Sequence, residues 1–222
     1  MKLNLPLALV VAILITGCSN DSTKKDNKVE ELLSQMTLDE KVGQLNQYAV
    51  GPELTGPGEK TGQTKVRYDQ LLSGQVGSVL NVLGAKNGRE MQKQVVENTR
   101  LGIPLVFGYD VIHGYKTIFP IPLGESASWD LELMEATARV AAVETSAAGV
   151  QWTFAPMMDV GRDPRWGRVM EGAGEDTYLG AEIAKARVKG FQGSDLSSTN
   201  TIAACAKHFA GYGFSESGKD YN

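Results

Sequence analysis

The segment Arg162-Asp163-Pro164-Arg165-Trp166-Gly167-Arg168 concentrates guanidinium groups, a carboxylate and an indole in one short stretch. Guanidinium forks fixed by carboxylates are rigid hydrogen-bond donors, and the acidic run Glu171-Gly172-Ala173-Gly174-Glu175-Asp176 supplies such carboxylates. Composition alone also allows a plain surface salt-bridge cluster. Two further blocks favour a pocket: Gly108-Tyr109-Asp110-Val111-Ile112-His113-Gly114 upstream and Ala206-Lys207-His208-Phe209-Ala210-Gly211 downstream. All three stand where an apolar run of strand length gives way to glycine. In a β/α barrel that junction is the strand's C-terminal end, where functional side chains are presented. Asp, Arg and Lys-His converging from separate strand ends make a wall suited to hydroxyl groups. Asp159 with Asp163, or Glu171 with Glu175, would be the obvious catalytic carboxylate pairs. Arginines beside Asp163 and Glu171 argue against this, because they lower the carboxyl pKa and spoil a general acid.

The elements that must position these residues read as alternating helices and strands. Val29 to Gln47 carries apolar residues at helical spacing around a turn, with Thr37 and Glu40 forming a capping box. Val50 to Gly62 is a Gly- and Pro-rich loop. Helices follow at Lys65 to Ser73, Asn87 to Thr99, Leu131 to Ala148 behind Asp130, and Thr177 to Phe191 behind Asp176. Strands are expected at Gly77 to Leu83, Leu105 to Tyr109, Gln151 to Ala155 and Ile202 to Lys207. Continuous apolar strands separated by helices indicate an α/β fold with a parallel sheet covered on both faces. We read the N-terminal half of a (β/α)8 TIM-like barrel, truncated after about four strands, since the chain stops in the loop from Gly211 to Asn222. A doubly wound sheet is the alternative, but no strand runs into a G-x-G-x-x-G turn, so a nucleotide site has no support.

The first residues read as an export signal: Lys2, an apolar core from Leu5 to Ile15, then Thr16-Gly17-Cys18. That core is too short to span a bilayer. Small residues before a cysteine resemble a bacterial lipobox, so residues 1–17 are expected to be removed and Cys18 acylated. An ordinary secretory signal is the alternative. Ser19 resembles the outer-membrane sorting pattern, which implies an outer-membrane lipid anchor and a periplasmic location. Residues 18–28 then form a polar tether, and 29–222 the partial barrel. Cys205 lies in an apolar run and is expected to be a buried small hydrophobe with no disulfide partner. The net charge of -4 and pI near 5.3 give no field that would draw nucleic acid. Two histidines and one unpaired thiol make no recognisable metal set, and no cofactor is implied.

Taken together, the blocks Gly-Tyr-Asp110-Val-Ile-His113-Gly, Phe154 to Arg168, Glu175-Asp-Thr-Tyr-Leu179 and Lys207-His208-Phe resemble glycoside hydrolase family 3. The opening Met36 to Leu45 resembles that family's first helices. The resemblance covers about Met36 to Asn222. It implies a barrel followed by an α/β sandwich, and retaining, exo-acting removal of terminal β-D-glucosyl residues from oligosaccharides or aryl β-glucosides. Asp110 would hold two hydroxyls of the terminal sugar, Arg168 another, and Lys207 with His208 a third. His113 is expected to be structural, and Trp166 to pack against its own loop rather than a sugar. The family's nucleophile is an aspartate on a later strand, and its acid/base comes from a late segment or a second domain. Both are expected beyond Asn222, which implies that residues 1–222 alone hydrolyse nothing. Lys207-His-Phe-Ala-Gly-Tyr212 departs from the Lys-His-Phe-Pro-Gly-His of N-acetylglucosaminidases, favouring β-glucosidase with β-xylosidase as the nearest alternative. A non-catalytic sugar-binding lipoprotein is the remaining possibility.

Overall fold

The computed structural model describes residues 22–50 and 59–220; residues 1–21, including the signal segment and Cys18, lie outside that range. Helix α1, Ser22–Gln35, begins inside the segment read as a tether, ahead of the expected Val29. Helix α2, Leu38–Gly43, opens as the sequence requires: Glu40 N–H donates to Thr37 Oγ1, and Thr37 N–H donates back to Glu40 Oε2 at 2.8 Å. The chain continues through β1 (Gln47–Ala49), α3 (Gly62–Leu72), β2 (Ser78–Leu80), α4 (Ala85–Asn98), β3 (Val106–Tyr109), the short α5 (Pro122–Ser126), α6 (Leu131–Ala147), β4 (Trp152–Thr153) and α7 (Thr177–Gln192). Asp130 and Asp176 cap α6 and α7, accepting from the N–H groups of Leu133 and Leu179 at 2.9 and 2.7 Å.

The four strands form one parallel sheet in the order β1-β2-β3-β4. Tyr48 stands beside Val79, Val79 beside Phe107, and Tyr109 beside Thr153. Alternation along each strand sends Val79 and Phe107 to one face, where they join Leu71 of α3 and Met91 and Val95 of α4 in a buried cluster. Gly108 and Trp152 share the opposite face, and a Cβ on Gly108 would lie 2.9 Å from the Phe154 ring. That glycine is what lets the Trp152–Phe154 ring pair, 4.6 Å between centroids, lie against β3.

Sequence and structure differ in two strands. β1 lies where the sequence pattern predicts the end of a helix at Gln47, because three residues are too few to show an alternation. The segment expected as the strand Ile202 to Lys207 forms no continuous ladder. It meets the sheet through parallel bridges, Ala203 to Trp152 and Lys207 to Met157. Thr153 N–H donates to Ala203 O, and Cys205 N–H to Ala155 O, at 2.9 Å each, so the backbone groups are paired although the run is broken. Cys205 is half-buried rather than fully enclosed. Ile202 completes a second core with Val111, Ala138, Ala141, Ala142, Ala155 and Phe191. There α6 and α7 pack so closely that a Cβ on Gly190 would lie 2.4 Å from Glu135 O and 2.6 Å from Ala138 Cβ.

Candidate active site

Asp110 is the first residue after β3, exposed where the strand ends. Its neighbour Val111 is fully buried and donates its N–H to Thr153 Oγ1 at 3.1 Å, so the chain turns over the sheet edge with Asp110 facing outward. The loop that follows is pinned from α6. Glu144 accepts from the N–H groups of Lys116 and Thr117 at 2.8 Å and from Thr117 Oγ1 at 2.6 Å. His113 lies inside this loop, its Nδ1 2.9 Å from Phe119 O while its own carbonyl accepts from Phe119 N–H.

Lys207 enters from the bridge beside Met157, and its Nζ stands 3.2 Å from Asp110 Oδ1. Lys207 is largely covered and Asp110 half open. His208 is fixed from below by Asp159, whose side chain is 2 % exposed. Oδ2 of Asp159 accepts from the His208 N–H at 3.0 Å and pairs with Nδ1 at 2.7 Å. A proton on Nδ1 makes that bond, and Nε2 is turned toward Arg168, 3.5 Å from its Nη1.

Arg168 leads into a turn of 3-10 helix, Val169–Glu171, that places Glu171 alongside it. Nε and Nη2 form a fork on the Glu171 carboxylate at 2.6 and 2.7 Å, so Nη1 remains directed at the site. The guanidinium sits 5.4 Å from the Tyr212 ring centroid. Trp166 meets the same ring edge-on at 5.4 Å, is 2 % exposed, and donates Nε1–H to Asp220 Oδ1 at 2.7 Å. The indole therefore packs against the ring that the Arg168 guanidinium faces, and is not an exposed stacking face. Of the other two arginines in this segment, Arg165 pairs with Asp163 at 2.6 Å and Arg162 lies over Phe214 at 4.4 Å.

Two carboxylates of this segment, Asp163 and Glu171, are held toward the anion. Hydrogen bonds from Arg165 bring Asp163 from 3.8 to about 2, and Arg168 lowers Glu171 against the opposing effect of its burial. A depressed carboxylate contributes stability that is whole above its unfolded pKa and is lost as pH falls through the folded value. For Asp163 that window runs from 3.8 down to about 2. Thermal unfolding of Asp163→Asn should therefore lose less Tm than the unsubstituted protein between about pH 4.5 and 2.5. Parallel losses in the two proteins would show that this pair does not support the loop.

The structure thus brings together all the residues expected at the site: Asp110, Arg168, Lys207 and His208. What the sequence reading missed is their supports. In the sequence Asp159 stands out only as a candidate catalytic carboxylate, Tyr212 only as a departure from the N-acetylglucosaminidase pattern, and Asp220 not at all. Asp159 lies in the block Phe154 to Arg168, but nothing in its neighbours announces a histidine forty-nine residues later as its partner. Exposed Asp110 with Lys207, the Arg168 Nη1 and the His208 Nε2 offer acceptor and donor groups side by side, matching vicinal hydroxyls that must both donate and accept. Among the described residues no group of His, Cys, Asp and Glu could hold a metal ion.

Residues 37–222 match the profile of the glycosyl hydrolase family 3 N terminal domain. The chain belongs to glycosyl hydrolase family 3. The periplasmic beta-glucosidase of Salmonella typhimurium is 44 % identical over 198 residues, which are 89 % of this chain and 25 % of the relative. A putative beta-xylosidase of Formosa agariphila is 34 % identical over 87 % of this chain and 27 % of its own length. The crystal structure of a beta-glucosidase from Listeria innocua in complex with isofagomine superimposes with a TM-score of 0.79 at 47 % identity, over 88 % of this chain and 27 % of that one. The chain spans about a quarter of the length of these relatives. The family 3 N-terminal domain is a TIM-barrel-like fold, and the parallel sheet with its flanking helices is part of such a barrel.

Proposed function

We propose that the whole protein is an exo-acting, retaining β-glucosidase that removes terminal β-D-glucosyl residues, and that Asp110, Arg168, Lys207 and His208 hold the terminal sugar. The observation that carries this reading is the contact of Asp110 with Lys207 at 3.2 Å beside an arginine whose fork leaves one nitrogen directed at the site. Relatives named beta-glucosidases at 44 and 47 % identity support the glucoside as substrate. The Formosa relative's name supports a xyloside as the second reading.

The nucleophile and acid/base are proposed to come from residues outside 1–222. Support lies in the state of the local carboxylates. Asp159 is engaged by His208, Asp163 by Arg165 and Glu171 by Arg168, which covers both residues of one candidate pair and one of the other. A retaining pair needs a free carboxylate and a protonated acid about 5–5.5 Å apart. Export to the periplasm with a lipid on Cys18 completes the proposal. It is supported by the lipobox-like Ile15 to Cys18 and by a relative named periplasmic.

The test is to assay the whole gene product on aryl β-glucoside and aryl β-xyloside side by side, with purified residues 19–222 as a third sample. We expect preference for the glucoside and no turnover by residues 19–222. Preference for the xyloside would move the substrate to the second reading. Turnover by residues 19–222 would refute the placement of the catalytic pair, and sugar binding without turnover by the whole protein would leave the non-catalytic binder.

A further inference from the structure

Behind the sugar-facing groups lies a charge that their geometry does not use. Arg187 of α7 and Glu125 of α5 face each other with both side chains only 5 % exposed. Arg187 Nη1 donates to Glu125 Oε2 and Nη2 donates to the carbonyl of Ile112. The guanidinium also sits 5.8 Å from the Phe191 ring centroid. The other carboxylate oxygen, Glu125 Oε1, is buried without a hydrogen-bond partner.

An incompletely bonded buried ion pair is a poor way to stabilise a fold. Removing two charges from water is repaid only when every remaining donor and acceptor is satisfied, and apolar residues of similar volume often do as well or better. What distinguishes this pair is where it points. Ile112 is two residues beyond Asp110 and follows Val111, which is buried and tied to Thr153. Ile112, Glu171, Arg187 and Lys207 line a single narrow crevice beneath the site. Arg187 therefore holds the loop carrying Asp110 from the side opposite the sugar. Small displacements of a substrate-holding group are expensive, since about 1 Å of misplacement can cost on the order of a hundredfold in rate.

We propose that Arg187, oriented by Glu125, is a positioning residue that fixes Asp110 against Lys207 through the Ile112 carbonyl, and thereby sets affinity for the terminal sugar. The proposal rests on the sugar-binding reading of Asp110. Its test uses the double variant Arg187→Met/Glu125→Leu of the whole protein, because either single change would leave a buried charge unpaired. We expect Tm to hold, KM for an aryl β-glucoside to rise about tenfold or more, and kcat to change less, the pattern of lost binding shared by ground and transition states. Arg187→Lys keeps a charge for Glu125 but loses the fork, so it should raise KM without lowering Tm, and it replaces the double variant should that fail to fold. Hydrogen exchange of residues 110–114 should quicken about tenfold in either variant while α6 and α7 stay protected. Unchanged KM and unchanged exchange would overturn the proposal and leave the pair a packing element. If the unsubstituted protein neither turns over nor binds a glycoside, the sugar reading fails, and exchange of residues 110–114 still decides whether Arg187 orders this loop.

Discussion

Replacing Asp110 by alanine lowers kcat/KM of the whole protein toward an aryl β-glucoside by roughly a hundred- to ten-thousandfold. A hydrogen bond to a charged group contributes about 1.5–3 kcal/mol, and a carboxylate gripping two hydroxyls supplies two of them. The loss also takes from Lys207 the partner that stands 3.2 Å from its ammonium group. Asp110→Asn keeps one acceptor oxygen and should fall less steeply. Thermal unfolding serves as the control: Asp110 is exposed at its strand end, so Tm should barely move. An alanine variant within threefold of the parent enzyme would remove Asp110 from the site and with it the main support for the function proposed above.

Trp166→Ala is expected to be the most damaging single substitution for stability, at about 3–5 kcal/mol. The indole is 2 % exposed, and it joins two segments distant in sequence through Asp220 Oδ1 and the edge of Tyr212. Truncation opens a cavity beside the Tyr212 ring and leaves Asp220 with Tyr212 Oη as its remaining side-chain donor. Trp166→Phe keeps most of the volume and loses only the Nε1–H bond, so it should cost about 1–3 kcal/mol. Urea unfolding of the two variants separates the terms. A cost below about 1 kcal/mol for alanine would mean that the loop collapses onto the gap, and sugar affinity would then report whether Arg168 had moved with it.

Helices were the most legible part of the chain. Asp130 and Asp176 each stand at the head of an apolar-periodic run, and both make the expected cap, because capping is a contact within four residues and needs no tertiary partner. The Thr37 and Glu40 box forms for the same reason. Short strands were harder. β1 has three residues, and its identity as a strand comes from pairing with β2 thirty-one residues away, which no local pattern encodes. Ile202 to Lys207 reads as an unbroken apolar run, yet it meets the sheet through isolated bridges at Ala203 and Lys207 and forms no continuous ladder. Residue type sets strand propensity, but register with the neighbour decides which groups pair.

At the site the division runs along the same line. Residue types and their places after apolar runs were enough, in the sequence, to nominate Asp110, Arg168, Lys207 and His208, because a barrel collects its strand ends at one face whatever their spacing along the chain. The sequence also implied that arginines beside Asp163 and Glu171 would keep those groups ionised, since that interaction is between neighbours. Only the tertiary structure decided how the four are held. Asp159 under His208, Trp166 and Asp220 beside Tyr212, and Glu125 with Arg187 behind Ile112 are contacts between residues eight to seventy-five positions apart. Burial turns such ordinary residues into fixed supports, and burial is a property of the packed chain, which is why the four candidate site residues were legible in the sequence and the residues packed behind them were not.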